Sequence, residues 1–218
     1  MAYAAARKFM VDGQLRPNKV TDPVVLAAMA RLPREAFVPA AFKPRAYADE
    51  AVPLAPRRAM MAPMVLARLL QALAPRLGES ALVVGAGTGY AAAVLADLGA
   101  VVTALEDDAS LLAIARQAWQ EVLPGAMPQA VQGPPALGHE AAGPYHVILI
   151  NGAVPALPEA IAAQLAEGGR LAMVQAQPGA VQHAVLGTKL HGKIFMTPMM
   201  DATAPALPGF APDPGFVF

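Results

Sequence analysis

From residue 80 to residue 175, short apolar runs alternate with segments in which apolar residues recur at helical spacing. The apolar runs predict four strands, over residues 81–84, 100–106, 145–150 and 170–174. Three helices are predicted between the strands. The first covers residues 90–98, the second follows the strand 100–106 and runs through Trp119, and the third covers 158–167 and is followed by two glycines. Strands that are apolar almost throughout are typical of a parallel sheet covered by helices on both faces. The pattern therefore predicts an α/β fold with a mostly parallel, doubly wound sheet.

The first 77 residues predict helices joined by turns that contain proline. Asp22 and Pro23 form a helix start, because a capping side chain is followed by proline in the first turn. A second apolar helix begins at Pro63. The C-terminal tail is rich in proline and contains three phenylalanines, which predicts that it packs onto the body of the protein. We expect one domain with a helical N-terminal addition (1–77), an α/β core (78–202) and this tail (203–218).

The composition narrows the possible partners and compartments. With 218 residues and a formal net charge of zero, the chain lacks the basic runs that bind nucleic acid or acidic membranes. It has no cysteine, which excludes disulfides and thiolate metal sites, and its four histidines are too widely spaced to predict a metal site. The uncharged stretch 80–96 is shorter than a membrane span, and the N-terminus lacks the apolar core of a secretion signal. We expect a cytoplasmic protein, either a monomer or a homodimer.

Three glycines follow the first strand of the α/β part. Gly85, Gly87 and Gly89 have the spacing G-x-G-x-G, and the third glycine of a dinucleotide-binding turn would fall on Tyr90. Glycine in such a turn lets a ligand approach the backbone at the carboxyl ends of the strands. Without the further glycine, the turn suits a nucleoside that carries no phosphate, such as S-adenosylmethionine, better than a pyrophosphate. A nicotinamide-dependent oxidoreductase is therefore the weaker alternative.

Glu106 strengthens the case for a nucleoside site. It ends the next predicted strand, 17 residues after Gly89, where a carboxylate can accept hydrogen bonds from both hydroxyls of a ribose. The alternative is that the glycines only fit the helix to the strand and that Glu106 is a solvated charge. The order of strand, glycines, helix, strand and acid favours the nucleoside site.

Six blocks of the chain, between residues 7 and 175, have the order and spacing of one known family. They are MVDGQLRP from residue 10, VLAAMARLPREAFVP from 25, AYADEAVPL from 46, VVGAGTGYAAAVLA from 83, GPYHVILI from 143 and LPEAIAAQLAEGGRL from 157. On these blocks the chain resembles the protein-L-isoaspartate O-methyltransferases. The resemblance implies a Rossmann-like, S-adenosylmethionine-dependent methyltransferase fold. It also implies a protein-repair reaction, methyl esterification of the α-carboxylate of isoaspartyl residues, with S-adenosylhomocysteine as the second product.

The resemblance also implies which residues contact the cofactor. They lie at the glycine turn and at the ends of two later strands: Gly85, Ala86, Gly87, Gly89, Tyr90, Glu106, Asp107 and Gly133. No catalytic residue is carried over to this chain, and no metal is implied. The implied substrate is a protein or peptide with an isoaspartyl carboxylate, and the alternative is an unknown acceptor.

The chain departs from the family pattern around the expected pocket. Met61 stands where the family has the serine of T-I-S-Q/A-P, and a thioether cannot donate a hydrogen bond. Pro134 follows Gly133 in place of the aspartate of the family's G-D-G turn, and Val83 replaces a glutamate. Methyl transfer to an ionised carboxylate needs little acid–base help, so these losses affect mainly the positioning of substrate and cofactor. The alternative function is a degenerate member that binds S-adenosylmethionine or a partner protein without isoaspartyl methyl transfer.

Several other polar residues are expected to have structural roles. Of the neighbours Arg57 and Arg58, we expect one to be solvated and one to be paired, with attraction of a substrate carboxylate as the alternative. Arg34 is expected to anchor a helix end and Asp49 to position a lid. His146 is expected to be a strand-end residue with a local hydrogen bond rather than a group that faces the cofactor pocket.

Overall fold

The computed structural model describes residues 3–210. The α-helices are Ala4–Phe9 (α1), Pro23–Arg31 (α2), Pro63–Leu73 (α3), Tyr90–Asp97 (α4), Ala109–Val122 (α5) and Glu159–Ala163 (α6). The strands are Val52–Ala55 (β1), Arg58–Met60 (β2), Ser80–Val84 (β3), Val101–Glu106 (β4), Gln129–Gln132 (β5), Tyr145–Val154 (β6), Leu165–Gln175 (β7), His183–Leu190 (β8) and Lys193–Asp201 (β9). A π-helical stretch, Met10–Leu15, continues α1, and 3-10 turns are formed by Arg34–Phe37, Ala40–Arg45, Pro135–Leu137 and Glu140–Ala142.

Strands β3 to β9 form one sheet in the order β5-β4-β3-β6-β7-β8-β9. Its pairs from β5 to β7 are parallel, and β8 and β9 add antiparallel pairs at one edge. Alternate residues of β3 lie in two separate apolar cores, Leu82 and Val84 in one and Ala81 and Val83 in the other. Because side chains alternate across a strand, both faces of the sheet are buried. The predicted α/β fold with a mostly parallel, doubly wound sheet is confirmed.

The first part of the chain packs onto this sheet largely through helices, as predicted. The Asp22 side chain accepts hydrogen bonds from the backbone N–H groups of Val24 and Val25, so it caps α2 with Pro23 in the first turn. Pro63 opens α3. The prediction missed the antiparallel hairpin of β1 and β2, which lies between these helices. The hairpin consists of two very short strands, and its apolar alternation is too brief to distinguish from a loop.

The helix predicted over 158–167 is wrong in its second half. α6 ends at Ala163, and Leu165 already belongs to β7, where it pairs with Tyr145. The change occurs at Gln164, whose carbonyl oxygen accepts a hydrogen bond from the N–H of Tyr145 (2.8 Å). Its side-chain amide also donates to the carbonyl of Leu137 (2.8 Å). These tertiary contacts override the helical spacing of the apolar residues.

Residues 203–210, here called the C-terminal strap, pack onto the body of the protein. Leu207 and Phe210 are 6% and 8% exposed and belong to the same core as Leu82. The packing of the whole tail stays a prediction, because residues 211–218 lie outside the described residues. None of the helices within residues 3–210 combines the length and the apolar character needed to cross a membrane.

Candidate functional site

The glycine turn leaves β3 at the carboxyl edge of the sheet, beside the end of β4. The N–H groups of Gly85 and Ala86 both donate to the carbonyl of Leu105, each at 2.9 Å. Gly85, Gly87 and Gly89 have φ angles of +70°, +59° and +90°, in the left-handed region that favours glycine. The turn and the end of β4 together bound a crevice of the kind in which α/β proteins bind nucleosides, called the crevice below.

Trp119, the single tryptophan of the chain, fixes the far end of the turn. Its indole N–H donates to the carbonyl of Gly89 (2.9 Å) and is buried. A Cβ atom at Gly89 would lie 2.6 Å from the indole ring. Gly89 is therefore required by packing as well as by its φ angle. The sequence pattern gave no signal of this contact, because Trp119 lies 30 residues away on α5.

Glu106 lies at the bottom of the crevice and is completely buried. Its carboxylate accepts backbone N–H bonds from Gly87 (2.6 Å), Asp107 (3.1 Å) and Asp108 (3.2 Å). The Arg58 guanidinium adds two more, one at 2.6 Å to Oε1 and a shorter one to Oε2. Burial raises the pKa of the Glu106 carboxyl, and the neighbouring guanidinium opposes that rise.

Arg58 is thus the paired member of the two adjacent arginines, and Arg57 is exposed, as predicted. The Arg58 side chain is 9% exposed and also contacts Asp107 at 3.1 Å. Glu106 is not the solvated charge of the alternative interpretation. Arg58 is a residue of this site that the sequence analysis did not place there, since it lies 48 residues before its partner.

The C-terminal strap lies across the crevice. A Cβ atom built on Gly85 would meet the Leu207 side chain at 2.5 Å, and one on Gly152 would meet the carbonyl of Pro205 at 3.0 Å. The strap is joined to the end of β6 by backbone bonds from Ala153 N–H to Pro205 (2.7 Å) and from Leu207 N–H to Ala153 (2.9 Å). The Leu207 side chain therefore packs directly against Gly85 of the glycine turn.

Two cavities flank the strap and the hairpin. The first, about 640 Å³, lies at the start of α3 and is lined by Asp49, Glu50, Ala62, Met64, Thr203 and Pro205 among others. We call it the acceptor-side cavity because it adjoins the segment that departs from the family pattern. The second, about 580 Å³, is called the arginine-side cleft and is lined by Arg57, Arg58, Pro205, Leu207 and Pro208 among others.

The side chain at the family's serine position does not face the acceptor-side cavity. Met61 is 1% exposed and belongs to the core. Its carbonyl accepts a hydrogen bond from the buried guanidinium of Arg34, which also donates to the carbonyl of Ala46 (2.7 Å) at the end of a 3-10 turn. Arg34 thus anchors a helix end, as predicted, and also the segment before α3. Asp49 caps α3 by accepting from the N–H of Met64 (3.2 Å), a positioning role.

The remaining predicted contact residues take different positions. The Tyr90 ring is buried, lies 5.4 Å from the ring of Phe37 and faces the guanidinium of Arg34. Burial raises the pKa of Tyr90 to about 12. Its side chain is therefore committed to the interior, and a ligand could reach only its backbone. The Asp107 side chain is more exposed than that of Glu106. Gly133, which directly follows β5, donates its N–H to the carbonyl of Glu106 (3.1 Å).

His146 and Asn151 mark the two ends of β6. His146 lies near the amino end, where its Nδ1 is 2.8 Å from the hydroxyl of Ser80, so it has the local hydrogen bond that was predicted. Asn151, near the carboxyl end, donates from its amide to the carbonyl of Gly85 (3.0 Å) and holds the glycine turn in place. The sequence analysis missed Asn151, which carries no motif signal of its own.

Known proteins resemble this chain over most of its length. A family model described as protein-L-isoaspartate(D-aspartate) O-methyltransferase (PCMT) matches residues 6–204. A Methylorubrum populi protein-L-isoaspartate O-methyltransferase is 42% identical over 175 residues, 80% of this chain and 82% of the relative. A relative of the same name from Koribacter versatilis is 38% identical over 199 residues, 91% of this chain and 89% of its own length.

A solved structure shows the same fold at lower identity. A Plasmodium falciparum structure assigned as a protein-L-isoaspartate O-methyltransferase in complex with S-adenosyl-L-homocysteine superposes with a TM-score of 0.79 at 21% identity, covering 93% of this chain and 98% of the other. The expected Rossmann-like methyltransferase fold is confirmed. With a family model that spans most of the chain and relatives near 40% identity, the chain belongs to the protein-L-isoaspartate(D-aspartate) O-methyltransferase family.

Proposed function

We propose that the protein is an S-adenosylmethionine-dependent O-methyltransferase that esterifies the carboxylate of isoaspartyl residues in damaged proteins. The observation that carries the proposal is a buried carboxylate, Glu106, at the end of β4 beside a left-handed glycine turn, within a chain of this family. The relatives carry this activity in their names, and a structure of the same fold is described with S-adenosyl-L-homocysteine. A cytoplasmic location, and a monomer or homodimer, stay predictions.

The residue types at the crevice fit an adenosine ligand. A carboxylate at the end of β4 suits the two ribose hydroxyls, and the turn offers backbone that a ligand can approach closely. We assign the cofactor to the predicted set of Gly85, Ala86, Gly87, Gly89, Tyr90 (through its backbone), Glu106, Asp107 and Gly133. The bound cofactor supplies an activated methyl group on a sulfonium sulfur. The fit requires the crevice to be free of Arg58 and Leu207, which occupy it in this structure.

The protein's part in such a reaction is positioning. An isoaspartyl carboxylate is ionised at neutral pH, so no general base is needed, and the rate depends on holding the reacting atoms in line. The acceptor-side cavity begins at the residues before α3, where the family has its serine. Since Met61 is buried and contributes no hydroxyl, the polar groups that could orient a substrate there are Asp49, Glu50 and Thr203.

The second candidate is a family member that binds the nucleoside or a partner without isoaspartyl methyl transfer. Two carboxylates, Asp49 and Glu50, line the acceptor-side cavity and would repel an anionic acceptor. Glu50 is partly neutralised by Arg45 at 2.8 Å. Together with the buried Met61, this lining favours a neutral or cationic acceptor, or none. This lining disfavours the first candidate.

The experiment that separates the candidates is transfer of a labelled methyl group from S-adenosylmethionine to an isoaspartyl peptide. The aspartyl peptide of the same sequence serves as the control substrate. We expect base-labile label in the isoaspartyl peptide alone and its loss in Glu106→Gln. Glu121→Gln, an exposed change of the same kind on α5, should retain the activity. Absence of label from both peptides would refute the isoaspartyl assignment and leave the second candidate. Equal labelling of both peptides would refute specificity for isoaspartyl residues.

A further inference from the structure

We propose that the chain closes its own nucleoside crevice, and that a nucleoside binds only after Arg58 leaves Glu106 and Leu207 leaves the glycine turn. The inference rests on the proposed function, because it takes the crevice to be the nucleoside site. It goes further by naming two residues of the chain that compete with the ligand. The expected consequence is a protein whose affinity for its nucleoside is set by a conformational equilibrium.

The first competitor follows from the hydrogen-bonding capacity of Glu106. A carboxylate offers about four lone-pair positions, and this one already accepts five hydrogen bonds, three from backbone and two from Arg58. The three backbone donors belong to the glycine turn and to the residues that follow β4, so they cannot leave without unfolding the site. Two ribose hydroxyls can therefore bind Glu106 only in place of the Arg58 guanidinium. Arg58 sits on the short β2, 48 residues away in sequence, and can leave together with the hairpin.

The second competitor follows from the space over Gly85. Glycine at this position leaves room for a ligand beside the backbone, but Leu207 fills that room, with side-chain carbons 2.5 and 2.8 Å from where a Cβ would be. Leu207 is buried at the crevice and covers the turn as a ligand would. A nucleoside and the Leu207 side chain cannot occupy this space together.

The strap that carries Leu207 follows the last strand, β9, and two backbone hydrogen bonds join it to Ala153. The acceptor-side cavity and the arginine-side cleft have Pro53, Ala59 and Pro205 as common walls. Movement of the strap and hairpin away from the sheet would join these two spaces to the crevice. The joined volume is ample for a nucleoside and the end of a peptide side chain.

The experiment is a calorimetric titration of S-adenosylhomocysteine at pH 8 into the full chain and into Arg58→Gln, Leu207→Ala and the double variant. Trp119 fluorescence provides a second signal, because its indole is bonded to Gly89 of the turn. The matched control is Arg116→Gln, which removes the same charge from an exposed position on α5 that lines neither cavity. Urea unfolding of each variant establishes that it is folded.

The expected result is that Arg58→Gln and Leu207→Ala each bind about tenfold tighter or more, since the observed dissociation constant falls as the open fraction grows. Arg116→Gln should bind as the unaltered chain does. Equal, tight binding by all of the proteins would overturn self-closure and leave the proposed nucleoside site standing. Weaker binding by folded Arg58→Gln or Leu207→Ala would also overturn it, since these side chains would then support the ligand. Absence of binding even in the folded double variant would overturn both self-closure and the proposed function.

Discussion

Replacement of Gly89 by alanine tests how rigidly the glycine turn is fixed. A methyl group at this position would approach three atoms of the Trp119 indole to 2.6, 2.7 and 2.8 Å, in a residue whose φ is +90°. Left-handed backbone costs a non-glycine residue about 1–2 kcal/mol, and overpacking of a buried site costs about 1–3 kcal/mol. Gly89→Ala should therefore lower the free energy of unfolding by about 2–5 kcal/mol.

Gly78 provides a matched control for this prediction. Its φ is +80°, but no atom lies within 4 Å of the position that its Cβ would take. Gly78→Ala therefore carries the backbone cost alone, about 1–2 kcal/mol, and the difference between the two variants measures the steric conflict with Trp119. The assay is urea unfolding followed by circular dichroism and by Trp119 fluorescence, with unchanged m-values. A Gly89→Ala protein no less stable than Gly78→Ala would refute the packing argument for the turn.

Three further predictions concern contacts that hold the site in its place. Arg170 lowers the pKa of Glu79 from 4.5 to about 2, which corresponds to about 3 kcal/mol. Glu79→Gln should lose up to that stability at neutral pH, and its deficit should shrink as the pH falls from 4.5 towards 2, as measured by urea unfolding at each pH. Thr88→Val removes the buried hydrogen bond from the Thr88 hydroxyl to the carbonyl of Phe37. It should lower the free energy of unfolding, measured by urea denaturation, by about 1 kcal/mol. Gln164→Leu removes three side-chain hydrogen bonds and should cost about 2–3 kcal/mol in the same assay.

Each of these predictions has an outcome that contradicts it. A Glu79→Gln deficit that is constant between pH 7 and pH 2.5 would show that the carboxylate charge is not what stabilises the pair. Thr88→Ser, which keeps the hydroxyl, should retain the bond to Phe37; a loss equal to that of Thr88→Val would point to packing instead. If Gln164→Leu leaves the free energy of unfolding unchanged, α6 ends for a reason other than the hydrogen bonds of this side chain.

Much of the architecture could be predicted because it depends on neighbours in sequence. The cap of Asp22 on α2 spans three residues, and the strand–glycine–helix order around Gly85 is local as well. Glu106 could be placed because parallel strands end at the same edge of a sheet. The serine position could be located from the blocks on either side of Met61. These features follow from short-range rules that a single sequence contains.

The features that were missed depend on contacts between distant parts of the chain. Arg58 reaches Glu106 across 48 residues, and Leu207 reaches Gly85 only because the strap returns over the sheet after β9. The second half of the predicted helix became strand at Gln164, whose partners lie 19 to 27 residues earlier in the chain. No local pattern distinguishes an arginine that pairs with the site from one that is solvated. The sequence could therefore predict that one of the two arginines is paired, but not that Arg58 pairs with Glu106.

A crystal structure of the full chain with saturating S-adenosylhomocysteine tests the central claim most directly. The claim is that Glu106 and the glycine turn form an adenosine site that the chain itself occupies when no ligand is bound. The account predicts both ribose hydroxyls on the Glu106 carboxylate, the Arg58 guanidinium withdrawn from it, and Leu207 displaced from Gly85. A structure in which Arg58 and Leu207 keep their places, with the nucleoside bound elsewhere or absent, would contradict it.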